Sequence, residues 1–385
     1  MGFLRNLSTF LLLLAPISEA VSIPRASIPS TDYDALVVGG GPSGLSALSG
    51  LARVRRKTLL LDSAEYRNGE TRHMHDVIGN DGTVPAVFRY NARELIAKYP
   101  TAFMKNATVT SIVSVNGTNG TYFLTTDAAG ETYTSRKVIL ATGLSDIIPD
   151  TPGVKEAWQR GIYWCPWCDG YEHRDQPFGI LGSILDCVGS TMEMETLNKD
   201  IIAFVNGTYT DENVAILDKK RPGWFTQLQR YGVAIENRTI MSIERVQDGA
   251  VVHDVATDTE FDQFVVHVAD GTTFNRSAFI TNYPSVQHSH LGAPLGVKIY
   301  GEKMDVDPAS MRTAAPGVFA VGDANSDNST NVPHAMFTGK KAAVFLHVEL
   351  EKEYAATLLS KRDESLIEER MGSELEDLWK RLSKS

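Results

Sequence analysis

Two of the three cysteines in this 385-residue chain, Cys165 and Cys168, are separated only by Pro166 and Trp167. At this spacing two thiols can close a small disulfide ring or stand as a dithiol, and nearby helix N-termini or charges can lower a thiol pKa enough to make it reactive. The same spacing supplies half of a zinc site, but tetrahedral zinc takes four ligands. Cys187 is the only other cysteine, and no second C-x-x-C or H-x-x-x-H pattern offers the remainder. A redox pair is the leading reading, with a metal site or a structural bridge as alternatives. His73, His75 and Asp76 raise the metal question again; in a polar loop, ordinary hydrogen bonding is the simpler expectation. No metal is expected.

The elements that must position such a pair begin upstream. An apolar strand, Asp34 to Val38, runs into Gly39-Gly40-Gly41-Pro42-Ser43-Gly44 and a helix through Arg53; the next strand, Thr58 to Leu61, ends on Asp62. This strand–glycine turn–helix–strand–acid order is that of a dinucleotide-binding unit. Gly39 would make the tight turn, Gly41 would let the backbone approach a pyrophosphate, and Gly44 would allow close packing of helix on strand. The helix N-terminus would offer N–H groups to the phosphates. Asp62 is placed for ribose hydroxyls.

A polar loop follows, long enough to lie across a cofactor, then a helix from Pro85 to about Lys98. Residues 108–141 alternate as a β-meander ending in a buried strand and Gly143. After the cysteines, Phe178-Gly-Ile-Leu-Gly182 starts a second unit of the same kind, but Ser183-Ile-Leu-Asp-Cys-Val-Gly189 lacks the glycine spacing. The strand Ile201 to Val205 runs into Asn206-Gly-Thr-Tyr-Thr210 without arginines for a 2′-phosphate. This reads as a fold kept without its ligand. Gly317 to Asp323 is a further buried strand, and a helix runs from Val332 or Pro333 through Glu349. Another, amphipathic helix is expected over 363–382.

Composition is that of an ordinary globular protein, 43% hydrophobic and 22% charged. A net charge of −10 without a Lys/Arg stripe argues against a nucleic-acid partner. Residues 1–20 read as a signal peptide, too short in their apolar run to span a bilayer, and no later stretch reads as a membrane span. Sequons at Asn106, Asn116, Asn119, Asn206, Asn237, Asn275 and Asn328 fit a secreted glycoprotein. Three cysteines give such a protein almost no disulfide framework, which leaves the close pair free for chemistry. Lys361-Arg362 is a dibasic site or part of a solvated linker.

GGGPSG, CPWCD and GVFAVGD, in this order over residues 33–350, resemble the low-molecular-weight thioredoxin reductase flavoproteins. The resemblance implies an α/β fold of two Rossmann-like, three-layer ββα domains, the central one inserted into the FAD domain. The expected divisions are 1–20 signal, 21–32 tail, 33–152 and 284–360 FAD domain, 153–283 central domain and 361–385 C-terminal helix. FAD would be held by Gly39, Gly41, Pro42, Ser43, Gly44, Asp62, Gly143, Asp323, Asn331 and Val332. The missing second fingerprint, the signal peptide and CPWCDGYE together resemble the thiol-oxidase branch, to which dithiol oxidases of secondary-metabolite pathways are related.

That branch implies entry of a substrate thiolate at Cys165, release of Cys168 as a thiolate, electron transfer from Cys168 to FAD, and reoxidation by O2 to hydrogen peroxide. Asp169 matches the family's acid/base position. His334 is a second candidate, since imidazole titrates near neutrality, or else a helix-cap residue. Trp164 and Trp167 shield the disulfide or pack; Cys187 is expected to be free and buried. Glutathione and other small thiols are the expected substrates, and a homodimer the expected assembly. The alternatives are an NADPH-dependent disulfide reductase and a flavin-binding protein without turnover.

Overall fold

Strand β1 (Tyr33–Val38) is apolar from Ala35 onward and buried on both faces. In the computed structural model, which describes residues 28–327 and 329–382 and side chains through Leu358, it lies inside a seven-stranded sheet. Helix α1 (Pro42–Arg53) leads to β2 (Thr58–Asp62), and α2 (Pro85–Ile96) to β3 (Ala102–Asn106), all three strands being parallel. The expected meander is β4 (Val109–Gly117), β5 (Gly120–Asp127) and β6 (Thr132–Leu140), with β6 running parallel to β1. Ala35 and Val37 pack with Leu48, Leu51 and Leu346, while Leu36 and Val38 pack with Ile112, Val138 and Leu140. Burial on both faces explains the uninterrupted apolar run.

Strand β7 (Leu144–Asp146) leaves this sheet. Helix α3 (Val154–Ala157), β8 (Ile162–Tyr163) and α4 (Pro166–Asp169) follow, then β9 (Phe178–Leu181), α5 (Ile184–Met194), β10 (Ile201–Phe204), α6 (Asp211–Lys220), α7 (Trp224–Arg230) and β11 (Ala234–Glu236). Beyond β12 (Ile240–Gln247) come a hairpin of β13 (His253–Asp254) and β14 (Thr259–Glu260), then β15 (Gln263–Val268), β16 (Thr273–Arg276) and β17 (Ala278–Thr281). The second sheet is parallel, in the order β11-β10-β9-β17-β8, and β12-β15-β16 form an antiparallel sheet. One core joins Ile180 to Ile184, Val188, Leu217 and Leu228; another joins Leu181 and Phe279 to Ile243, Phe264 and Val266. The layers are therefore helices, parallel sheet and antiparallel sheet. This is the expected α/β class.

Strand β18 (Ser285–Gln287) pairs antiparallel with β7, so the way into the second sheet and the way out run side by side. A hairpin of β19 (Ile299–Tyr300) and β20 (Lys303–Met304) precedes β21 (Val318–Ala320), which rejoins the first sheet against β6. The two helices expected near 332–349 and 363–382 are one element, α8 (Val332–Leu382). Residues 29–351 pack as one compact unit and residues from Lys352 belong to another; the expected boundaries at 152/153 and 283/284 are changes of sheet rather than breaks in packing. The signal peptide, most of the N-terminal tail and the Asn328 sequon lie outside the described residues, as do the side chains at Lys361-Arg362 and beyond. Among the described residues no helix is long and apolar enough to cross a membrane.

Candidate active site

A cavity of about 660 Å³ opens beside the C-terminal ends of β1 and β6, bounded by Gly39 to Ser43, by Cys168 and Asp169, and by Asp323. This is where open α/β sheets bind ligands. The glycines divide the work as expected. Gly39 has φ +109°, and a Cβ there would sit 2.3 Å from the Ala141 carbonyl oxygen; one on Gly44 would sit 1.9 Å from the Gly39 oxygen. Gly41 differs: it has φ −70°, and a Cβ would meet no atom within 4 Å. A side chain at Gly41 would fill the cavity, not strain the fold. The N-terminus of α1 has no side-chain cap, so first-turn N–H groups remain for an anion. Gly143 (φ +70°) and Thr142 line the same space, and the Thr142 hydroxyl is buried without a partner. These residues fit a bound dinucleotide.

Two expected site residues are placed differently. Asp62 does not line the cavity. It is buried beneath Gly40, where an added Cβ would lie 2.0 Å from its Oδ2. Its carboxylate accepts from the Tyr66 hydroxyl (2.7 Å), Arg93 (3.1 Å) and the Ala64 N–H (3.0 Å). Asp62 thus braces the glycine turn from below, and the acid bordering the cavity nearby is Glu65, 3.2 Å from His288. His334 also stays out of the cavity lining. Its Nε2 lies 2.6 Å from Asp327, and its N–H donates to Asn331 Oδ1 at 2.8 Å. The helix cap is therefore Asn331, which lines the cavity together with Val332.

Cys165 and Cys168 are disulfide-bonded, with Cα atoms 5.2 Å apart. Cys165 precedes α4, Pro166 takes the first helical position that suits it, and the N–H groups of Cys168 and Asp169 both donate to the Cys165 carbonyl. This turn presents Cys168, and not Cys165, to the large cavity. The two tryptophans part company: Trp167 is 68% exposed, while Trp164 stacks on Trp158 at 5.3 Å and lies under the Arg67 guanidinium at 4.6 Å. Arg67 also donates to Asp323 (2.8 Å) and, with two bonds, to Asp146 (3.0 and 2.5 Å). This role of Arg67 is invisible in the sequence, because an arginine in a polar loop carries no pattern.

Asp169 borders the cavity beside Cys168. Burial, and then repulsion by Glu172, push its carboxyl up to about 8, so it keeps its proton at neutral pH. Behind it, His173 faces the Asp169 carbonyl (3.1 Å) through Nδ1 and Asp262 (3.0 Å) through Nε2. Against the cost of burial, Asp262 holds the imidazole pKa above its ordinary value. His173, Glu260 and Asp262 are the His/acid group among the described residues close enough to share a cation. Arg72 already occupies that role, pairing with Asp262 (2.8 and 3.0 Å), Glu260 and Asp248 (2.6 Å), and Arg245 adds a second guanidinium on Asp262. Cys187 is free and buried, and burial pushes its thiol up to about 12.

The second unit ends differently. Ser183 Oγ accepts from the Leu185 N–H (3.2 Å), and Thr208 Oγ1 accepts from the Ile184 N–H (2.9 Å). The chain's own hydroxyls thereby take first-turn donors of α5. The loop after β10 is tied down as well, the Ile240 N–H donating to Asn206 Oδ1 and the Tyr209 N–H to Asn237 Oδ1, both at 2.9 Å.

Residues 33–339 match the family described as pyridine nucleotide-disulphide oxidoreductase. A protein of Arthroderma benhamiae described as "Probable thioredoxin reductase" is 51% identical over 370 residues, 92% of each chain. Thioredoxin reductase tcpT of Claviceps purpurea is 30% identical over 83% of this chain and 95% of its own. The crystal structure of HlmI matches with a TM-score of 0.75 at 27% identity, covering 87% of this chain and 97% of that one. The chain belongs to the pyridine nucleotide-disulphide oxidoreductases, as one of their thioredoxin reductase-like flavoproteins, a family that typically binds FAD.

Proposed function

We propose that this protein is an FAD-dependent thiol oxidase, catalysing 2 R–SH + O2 → R–S–S–R + H2O2, with glutathione and similar small thiols as substrates. The observation that carries this reading is the contrast between the two nucleotide-type units. The first opens its helix N-terminus and Gly41 into a cavity that ends at Cys168; the second caps α5 with Ser183 and Thr208. Electrons then enter through thiols rather than through a nicotinamide.

When bound, FAD supplies the two-electron acceptor and the place where oxygen is reduced. The chain's own residues do the rest. Cys165, away from the cavity, receives the substrate thiolate; thiol–disulfide exchange at that sulfur releases Cys168. A second substrate thiol resolves the mixed disulfide. Cys168 faces the cavity, where the electron pair leaves as the Cys165–Cys168 bond re-forms. Asp169, protonated at neutral pH, holds and exchanges the proton beside Cys168. Arg67 keeps Asp323 and Asp146 in place in the cavity lining.

Export, glycosylation and dimerisation accompany this reading; recovery of glycosidase-sensitive protein from the medium and light scattering test them. A second reading, an NADPH-dependent disulfide reductase, is favoured by the names of the relatives. A dithiol metabolite is the alternative oxidase substrate. The test is oxygen uptake by the purified holoprotein with reduced glutathione, run beside NADPH oxidation. Oxygen uptake with peroxide and no NADPH consumption is expected; NADPH consumption without oxygen uptake would overturn the proposal.

A further inference from the structure

Asp169 borders two spaces. One is the large cavity; the other is a small polar pocket shared with Glu172, His75, Arg72 and Glu260, with room for about one water molecule. Glu172 lies in the single 3-10 turn Tyr171–His173 that follows the redox helix, and it is buried. Its Oε2 has no hydrogen-bond partner, which is unusual for a buried carboxyl oxygen. Its Oε1 lies 3.5 Å from His75 Nε2, and His75 Nδ1 lies 3.7 Å from Asp81 Oδ1. The Asp81 side chain is 70% exposed. Asp169, Glu172 and His75 thus line one small pocket, and His75 leads on to Asp81 at the surface.

The neighbours of Glu172 fall into two sets. Arg72, His173, Glu260 and Asp262 are locked to one another by the ion pairs described above, and they act as fixed charges. Asp169, Glu172 and His75 are not locked in this way. His73 from the same loop lines the pocket, and the buried Tyr163 hydroxyl on β8, unpartnered, completes the charged and polar surroundings. Burial raises the Glu172 carboxyl above its ordinary range, while His75 draws it down.

The reaction requires such a route. Each turnover breaks two substrate S–H bonds and forms one S–S bond; when the Cys165–Cys168 bond re-forms, two electrons and two protons leave the dithiol. Two electrons and two protons return when O2 becomes H2O2. Asp169 can carry one proton, and it must exchange it with solvent to serve again. We propose that Glu172 and His75 are the relay that exchanges protons between Asp169 and solvent. This deepens the thiol-oxidase reading and rests on it.

The test is anaerobic rapid mixing of holoenzyme with glutathione at several pH values, in H2O and D2O, for wild type, Glu172→Gln and His75→Ala. Infrared difference spectra on reduction follow the carboxyl bands. Glu172→Gln is expected to slow reduction by about 10–100-fold, change the pH profile and enlarge the solvent isotope effect. It should also delete one carboxyl band, with cofactor content unchanged. His75→Ala is expected to lose about tenfold and to regain rate with added imidazole. Wild-type reduction by thiol with an unaltered rate and pH profile in Glu172→Gln would overturn the relay alone. Failure of glutathione and of a small dithiol to reduce wild type would overturn the oxidase reading and the relay together. Should Glu172→Gln not fold, His75→Ala decides: an undiminished rate, or a loss that imidazole does not repair, overturns the relay.

Discussion

At the end of β1 the chain turns through Gly39 to Gly44 into α1, whose first turn has no side-chain cap and opens on a large cavity. At the end of β9 it turns through Gly182 and Ser183 into α5, where Ser183 and Thr208 hydroxyls accept from the first N–H groups. Both strands lie between parallel neighbours, and both helices pack on an apolar sheet face. The backbone plan is shared; the disposal of a few amide protons is not. A helix N-terminus is an anion site only while its donors are free. In the second unit two hydroxyls take donors that the first leaves free.

Breaking the working end gives the largest effects. Cys168→Ser is expected to keep bound cofactor and lose turnover by at least about 10³-fold in the oxygen electrode; normal turnover would contradict the electron route. Gly41→Val should fold with wild-type melting behaviour, because its φ of −70° suits any residue and its Cβ meets open space. It should lose most of its cofactor, read as the absorbance ratio of flavin to protein. Retained cofactor would mean that the cavity is not the cofactor cradle.

The clamp between the two units comes next. Arg72 reaches from the loop after β2 to Asp262 and Glu260, so Arg72→Ala takes one guanidinium from Asp262, which keeps Arg245, and the guanidinium from Glu260. A loss of about 3–5 kcal/mol in denaturant melts is expected. The effect of Asp169→Asn depends on pH. The native carboxyl titrates near 8, whereas an unfolded aspartate titrates near 3.9. The unfolded chain thus binds fewer protons between these values, and Asp169 costs stability as pH rises through the window. Asp169→Asn should raise the melting temperature at pH 8 and leave it nearly unchanged at pH 4. Smallest of all, Ser183→Ala should cost about 1 kcal/mol of stability and leave turnover unchanged. A gain of NADPH binding would sharpen the comparison further, showing that the cap alone had closed the second site.

The first unit was legible because glycines at fixed spacing dictate backbone geometry within one turn, and those positions behave as their spacing implies. The altered glycine spacing of the second unit was legible for the same reason, although the sequence did not reveal that Ser183 and Thr208 accept from the first N–H groups of α5. Asp62 and His334 sit at the expected strand end and helix head but outside the cavity lining. Spacing places a residue at the end of a strand or the head of a helix, but the partners Tyr66, Arg93 and Asp327 decide where its carboxylate or ring points. The polar machinery behind the redox pair was out of reach altogether. Arg72 meets Asp262 across 190 positions of sequence, and Gln159 holds the loop at Thr71 across 88. No local pattern encodes such contacts.

The most direct measurement is an anaerobic titration of the purified holoprotein, following flavin absorbance while adding glutathione to one cuvette and NADPH to another. Bleaching by the thiol, recovery on admitting air, and no response to NADPH are expected. Bleaching by NADPH with none by thiols would contradict the oxidase reading, since electrons would then be entering through the unit whose helix N-terminus Ser183 and Thr208 close.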